Sequence, residues 1–530
     1  MEKSNADFSK FEFKREERRP WKRAPPGTPE WFGIQDDDIL ALFLSQLPLR
    51  KSYAYARLSK QMKRVCTQRL EAELKVSPEQ AAAFVDAMAG RSIFLTGGAG
   101  VGKSFTLRVI QKHLREGTYI TTASTGCAAA HIGATTLHSA LGIGIGIASA
   151  SVYIHRIRTS QPIVYQRIRE MKTLIIDEIS MLDAAIFQKA GVVVSGVRAN
   201  YTNDIMANAA TIAGLVPWDG VQIIACGDFL QLPPVNVAKN LWPFESSAWR
   251  DLGFRNHVLS QVHRQTDAAF CGTLQRVRVG GATETDVRFL LSNASPTPVE
   301  GAIELFATNA PADEVNNRRF RELCVQGRRV HRFDAIDTGN PHKLEHCLAV
   351  SELLLCEGCR VMCLRNLGGG VFNGSLGTVL SIEPVIDGLG AYDIACVEVE
   401  FDASLSTDSV RYVFSTWDPD ADPATVKREM TFSVTEGLAN KVVASRIQLP
   451  LRLAYAISIH KSQGMSLDRA SIDFAGCFEN GQAYTALSRM RSLSGAHLRG
   501  LQLRHLRMAA KTPLAFYARL SRASGSDDNA

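Results

Sequence analysis

The sequence predicts an α/β protein with two parallel-sheet domains in tandem, a small β-rich insertion in the second and a helical N-terminal extension. Two observations carry this. Short apolar runs recur with helical or loop segments between them: "SIFLTG" (92–97), "YITTAS" (119–124), "TLIIDE" (173–178) and "VQIIACGD" (221–228). A second series follows at "AIELFATN" (302–309), "LRLAYAISIHKSQG" (451–464) and "RASIDF" (469–474). Short, continuously apolar strands alternating with helices bury both faces of a sheet, which parallel sheets require.

Composition agrees. At ~150 residues per domain, 530 residues suggest three or four domains. Hydrophobic residues at 45% and charged residues at 21% exclude a disordered scaffold or a collagen-like chain. No apolar stretch reaches the ~18–20 residues that cross a bilayer; Gln448 to Ile459 is interrupted by Arg452. Glu2, Asp7, Glu12, Glu16 and Glu17 open the chain, unlike a signal or transit peptide, so the expectation is a soluble intracellular protein. Eleven scattered cysteines fit reduced thiols. The net charge of +7 permits a nucleic-acid partner without demanding one.

In order along the chain, residues 1–30 hold Pro20, Pro25, Pro26, Gly27 and Pro29 and read as a mobile basic arm. Residues 31–75 carry a helical apolar period that Asp36 to Asp38 would start, and seven basic residues with no acid between Arg50 and Arg69. Ser77 to Ala89 reads as a capped helix. The first domain is expected over 76–258, with a short wedge insertion near 142–170. The second is expected over 259–369 and 446–515. Between its halves, 370–445 is rich in β-branched residues, with turns at Asn373-Gly374, Asp387-Gly388 and Asp418-Pro419. Residues 516–530 are expected to be a disordered tail.

The strongest motif is Gly97-Gly98-Ala99-Gly100-Val101-Gly102-Lys103-Ser104, which fits G-x-x-x-x-G-K-[ST] after an apolar strand and before a helix that begins with Phe105. Glycines let successive N–H groups face phosphates, and the helix N-terminus adds partial positive charge. Lys103 suits the β- and γ-phosphates, and the Ser104 hydroxyl suits Mg²⁺. Seventy-four residues later, Leu174, Ile175 and Ile176 lead into Asp177-Glu178 at the carboxyl end of a strand, where α/β sheets bind nucleotides. Asp177 is suited to Mg²⁺ and Glu178 to orienting and deprotonating water. "VQIIACGDFLQLPPV" brings Asp228 and Gln231 to the same edge, with Gln231 a candidate γ-phosphate sensor.

Together these segments resemble the helicases of superfamily 1B, closest to the Pif type, from about Val76 to Gly500. "SPEQ" resembles the family's adenine-reading motif, with Gln80 in that role. "TASTGCAA" (122–129) and "TTLHSALGIG" (135–144) resemble its contacts to single-stranded DNA. "IIDEISML", "GDFLQLPPV", "VHRQTDAAF" (262–270), "AISIHKSQGMSLD" (456–468) and "YTALSRMRSLSG" (484–495) are similar to the family's later motifs, in order. "FATNAPADEVN" (306–316) and "VMCLRNLGGGVFNGSLGTV" (361–379) follow the same order. The resemblance implies two RecA-like P-loop domains with an SH3-like insertion, Arg264 and Arg489 as arginine fingers, and a 5′ to 3′ DNA helicase driven by ATP and Mg²⁺. It also implies roles in repair, recombination and telomere maintenance, with the nucleus favoured over the mitochondrion. Thr125, His138 and Ser139 from the first domain, and Ser458, His460, Lys461, Ser462 and Gln463 from the second, are the residues expected to meet DNA phosphates. Phe229, Trp242 and Trp249 are candidates for base stacking, with a core role the stronger reading.

The stretch from Met181 to Trp218 departs from the family pattern. "DDDILALFLSQLPLRKSYAYARLSKQMKRV" resembles an F-box, which would dock on a Skp-type ubiquitin-ligase adaptor; a helical cap with a basic solvent face is the alternative. Cys347, Cys356, Cys359 and Cys363 include one C-x-x-C, and burial as apolar residues suits them better than zinc. The rival functions are a RecD-like motor, a DNA-stimulated remodeller that does not unwind, and an F-box adaptor carrying a motor.

Overall fold

The computed structural model describes residues 60–524 apart from 126–127, 130–131, 133, 145, 200–213, 235–240, 340–343, 345–346, 348, 366, 368–370, 372–374, 386–393, 403–409, 416–425, 429 and 437–440. The basic arm and nearly all of the F-box-like segment lie outside the described residues. Helix α1 (Lys60–Leu74) is the first element among the described residues.

The helix α2 (Pro78–Met88) begins where its sequence says it should. Ser77 accepts from the Gln80 amide at 3.3 Å, and Gln80 Oε1 accepts from Ser77 N at 3.0 Å, a reciprocal cap that satisfies two otherwise orphaned N–H groups. It leads into β1 (Ile93–Gly97), then α3 (Lys103–His113), β2 (Tyr119–Ala123) and β3 (Thr135–Thr136). Helices α4 (Ala150–Ser160) and α5 (Pro162–Glu170) lie within the 142–170 stretch. After them come β4 (Thr173–Asp177), α6 (Ala184–Arg198), β5 (Gln222–Cys226) and β6 (Arg255–Leu259). The sheet runs β3-β2-β4-β5-β1-β6 and every neighbouring pair is parallel. Strands β1 and β4 are buried at every residue, which is why they read as unbroken apolar runs.

The divergent stretch after Met181 resolves into α6, started by Asp183, which accepts from the Ile186 amide at 2.8 Å. Trp218 plugs against it beside Phe187. A Cβ at Gly191 would lie 2.7 Å from the Trp218 indole nitrogen, so the helix carries glycine at that point.

Helices α7 (Ala268–Arg278) and α8 (Glu284–Asn293) lead to β7 (Ile303–Phe306) and α9 (Asn309–Val325). The second parallel sheet runs β19 (Ala456–Ser458), β7, β20 (Ala470–Asp473) and β21 (Ala496–Arg499). Between its halves the β-rich part is larger than the 370–445 expected. Strands β8 (His331–Asp334), β9 (Ile336–Gly339), β10 (Glu352–Leu355) and β11 (Arg360–Cys363) already belong to it. The main sheet is β15 (Val426–Arg428), β14 (Val410–Ser415), β13 (Ile394–Phe401), β12 (Leu376–Val385), β11 and β18 (Leu451–Leu453). Strands β16 (Met430–Glu436) and β17 (Lys441–Gln448) pair with β9, and β10 pairs with β8. Apolar runs such as Leu353 to Leu355 suit either sheet, and only long-range pairing decides which one they join. Cys356, Cys359 and Cys363 are buried in the hydrophobic core of this region.

Helix α10 (Gln482–Leu487) precedes β21, and the chain ends in α11 (Lys511–Ser524). This corrects the expected disordered tail over 516–530: most of it is helix. Pro513, Phe516, Tyr517 and Leu520, spaced i, i+3, i+4 and i+7, are at least partly buried, a stripe too short to stand out among arginines and serines. Phe516 stacks on Phe244 at 4.2 Å and also meets Phe94, Phe229 and Trp249. The last helix therefore completes the core of the first sheet.

Candidate active site

Gly97, Gly100 and Gly102 have φ of 141°, 80° and 85°, a conformation that side chains disfavour. The space is closed as well. A Cβ at Gly100 would lie 2.7 Å from the Arg264 Cβ, and one at Gly102 2.6 Å from Gln80 Nε2. Gly98, Ala99 and Val101 complete the loop, buried against its neighbours. Lys103, at the start of α3, donates to the carbonyls of Gly97 and Gly98 at 2.9 and 2.8 Å. Ser104 and Phe105 are exposed beside it. The adenine-reading candidate Gln80 spends its oxygen on the cap of α2 and keeps its amide nitrogen against Gly102.

Asp177 ends β4 and Glu178 follows it directly. Burial, then the neighbouring Glu178, push the Asp177 carboxyl up to about 6. Its Oδ1 accepts from the Glu178 amide at 2.9 Å. Glu178 has φ 50° and ψ 44°, the left-handed region for a side chain that does not favour it, and Ser124 holds it there by donating to its carbonyl at 2.7 Å. From the opposite domain, Gln463 Nε2 donates to Glu178 Oε2 at 3.0 Å.

The two arginines meet around one residue. Arg264 Nη1 donates to the Ser488 carbonyl at 2.8 Å, and Arg489 Nη2 donates to the Ser488 hydroxyl at 2.9 Å. Burial, then the Arg489 charge, push Arg264 down to about 9, and burial lowers Arg489 as well. A buried Arg489 and a partly buried Arg264 near Glu178 form a site that favours a further anion. The buried Oε1 atoms of Gln265 and Gln463 have no hydrogen-bond partner among the described residues, which also fits a polar ligand. Gln231 is buried, its carbonyl 2.4 Å from where a Cβ of Gly481 would stand.

Sequence reasoning missed several residues here. Tyr484 accepts from the Ala99 amide at 2.8 Å, and Arg278 grips Asp228 with two bonds of 2.9 and 2.8 Å. Tyr484 opens a motif already singled out, whereas nothing local marks Arg278.

The residues expected to meet DNA divide. Thr125 and Ser139 lie in loop and helix-start positions of the first domain, with Ser139 exposed, and His138 is held below its usual pKa by burial. His460 pairs with Glu479 at 3.1 Å, and Lys461 is half-buried. Ser458 and Ser462 are instead buried, and the Ser462 hydroxyl donates to the Ile459 carbonyl at 2.8 Å. Gln463 turns to Glu178. All three are turned inward: the Ser458 carbonyl accepts from the Lys461 and Ser462 amides, and Gln463 is spent on the other domain. Phe229, Trp242 and Trp249 are buried in the aromatic core, so they serve packing in place of base stacking.

The family model described as PIF1-like helicase matches residues 70–285. The chain is 38% identical over 455 residues to the ATP-dependent DNA helicase PIF1 of Danio rerio, covering 84% of this chain and 64% of that one. It is 36% identical over 459 residues to the protein of that name from Homo sapiens, with the same coverage. The crystal structure of Pif1 helicase from Candida albicans superposes with a TM-score of 0.72 at 32% identity, covering 84% of this chain and 99% of that one. The chain belongs to the PIF1-like helicase family. A Bacteroides Pif1 bound to single-stranded DNA, at 24% identity and a TM-score of 0.61, shares the fold and covers 84% of this chain and 97% of that one. The chain spans a little under two-thirds of the curated PIF1 relatives it matches. Among the described residues no helix is long and apolar enough to cross a membrane.

Proposed function

We propose that this PIF1-like chain hydrolyses ATP between its two parallel-sheet domains and uses the resulting closure to move 5′ to 3′ along single-stranded DNA, opening duplexes ahead of it. The single observation that carries the reading is the union at one interface of Glu178 from the first domain with Gln463, Arg264 and Arg489 from the second. A γ-phosphate bound there would be met by cations from the domain that must move, so hydrolysis and domain closure are coupled.

In this reading the loop from Gly97 to Gly102 cradles the phosphates, and Lys103 exchanges its carbonyl partners for phosphate oxygens. Ser104 and Asp177 would hold Mg²⁺, which supplies charge neutralisation on the phosphates; a buried carboxyl pushed up by its surroundings fits a cation. Glu178 orients water and takes its proton as the water oxygen bonds to the γ-phosphorus and the bond to the ADP oxygen breaks. Arg264 and Arg489 stabilise the developing charge, and Gln231 senses the γ-phosphate. Thr125, His138, Ser139, His460 and Lys461 remain the candidates for DNA phosphates. Repair, recombination and telomere maintenance in the nucleus are the settings this activity suits.

The test is unwinding of two matched DNA duplexes, one with a 5′ and one with a 3′ single-stranded tail, beside a Lys103→Ala control. Opening only from the 5′ tail, lost in the control, supports the reading. DNA-stimulated hydrolysis with neither duplex opened would make the chain a remodeller, and opening from the 3′ tail would overturn the polarity.

A further inference from the structure

The last helix does more than fill the core. The segment before it is fastened to the second domain: Arg507 Nε donates to the Ala282 carbonyl at 2.9 Å, and the Met508 carbonyl accepts from the Gly481 amide at 2.8 Å. A few residues on, α11 is fastened to the first domain through Phe516 in the aromatic cluster. The chain thus crosses from one sheet to the other as a strap, and Tyr517 stands at the crossing.

The Tyr517 hydroxyl uses its full capacity. It accepts from the Phe229 amide at 3.1 Å, lies 2.7 Å from Thr96 Oγ1 and donates to Asp228 Oδ1 at 3.2 Å. Asp228 is wholly buried and is gripped by Arg278 from α7, whose guanidinium lies over the Tyr517 ring at 4.9 Å. Burial pushes the Asp228 carboxyl up, but Arg278, Lys103 and the Leu230 amide together hold it below the usual range. Thr96 immediately precedes the glycine-rich loop, and Asp228 stands three residues before Gln231. One hydroxyl from the C-terminal helix therefore joins the strand under the phosphate cradle, the sensing loop and the ion pair between the domains.

We propose that Tyr517 is a positioning residue for ATP hydrolysis: its hydroxyl holds the 227–231 loop and the Asp228–Arg278 pair in register, so that the strap transmits domain closure to Gln231. This rests on the ATPase reading above. The ring packs the core while the hydroxyl makes the three polar contacts, so Tyr517→Phe separates the two roles.

The experiment compares the full chain with Tyr517→Phe in DNA-stimulated ATP hydrolysis and in amide hydrogen exchange. Losing a buried hydrogen bond to a charged group is expected to lower kcat about tenfold, with KM for ATP within about twofold, and to speed exchange at Phe229 and Leu230 about tenfold relative to the amides of β4. Unchanged exchange overturns the proposal whatever the kinetics do. Faster exchange with unchanged kcat overturns it too, because the loop would then move without consequence for the reaction. If the unmodified chain hydrolyses no ATP, the ATPase reading fails, and exchange still decides whether Tyr517 holds the loop.

Discussion

Gln463 Nε2 lies 3.0 Å from Glu178 Oε2, a bond that ties the acid at the end of β4 to the opposite domain. Glu178 sits in a strained backbone conformation, and this glutamine orients its carboxylate from across the interface. Replacing it by Gln463→Leu should lower kcat for DNA-stimulated hydrolysis by roughly 10–100-fold, the value of a bond to a charged group. Steady-state kinetics decide the matter: turnover equal to that of the unmodified chain removes Gln463 from the site.

Lys103 bonds to two neutral carbonyls of its own loop, so its charge is available to an anion. Lys103→Ala should abolish hydrolysis, by at least about 100-fold, because an amine that contacts phosphate in the transition state is gone. Circular dichroism should be unchanged, since the side chain packs no core.

Gly481 has φ 74° at the start of α10, and a Cβ there would stand 2.4 Å from the Gln231 carbonyl. Gly481→Ala should cost about 1–3 kcal/mol from the backbone conformation alone, plus the displacement of the 227–231 loop. Urea unfolding gives the first effect, and a raised KM for ATP with lowered kcat gives the second.

Asp286 is a pH-dependent fastening of α8. Arg276 bonds to it at 2.9 Å, the Thr283 amide and hydroxyl bond to its other oxygen, and together they hold its carboxyl down at about 2. A folded pKa below the unfolded one stabilises above the ordinary carboxyl range and is lost as the pH falls toward 2. Urea midpoints should therefore drop between about pH 4 and pH 2 more steeply than for Asp286→Asn, which at pH 7 should cost about 0.5–2 kcal/mol for the lost cap. Parallel curves for the two proteins would exclude this contribution.

Trp249 meets Phe94, Phe187, Phe229 and Phe254 in the core. Trp249→Ala should destabilise the chain by about 3–5 kcal/mol while leaving the affinity of the folded protein for single-stranded DNA unchanged. Weaker DNA binding at full stability would restore the stacking role.

Much of the site was legible because its chemistry is local. The glycine-rich loop, Lys103 and the acids after β4 are set by short spacings in which each residue's conformation and charge have one use. The capped helix at Ser77 was legible for the same reason, since a reciprocal cap closes within four residues. The inward placement of Ser458, Ser462 and Gln463 was not legible, because a run of small polar groups looks alike whether it faces a phosphate chain, its own turn or the other domain.

The sequence by itself determined the α/β class, the order of the motifs and the glycine-rich loop, since apolar period, turn chemistry and glycine spacing act over a few residues. Tertiary structure alone decided that β8 to β11 join the inserted sheets, that the last helix closes the first core, and that Tyr484, Arg278 and Tyr517 reach the site. Those outcomes depend on which distant surface each segment buries against: Tyr517 lies 289 residues from Asp228, and no local pattern encodes a partner so far along the chain.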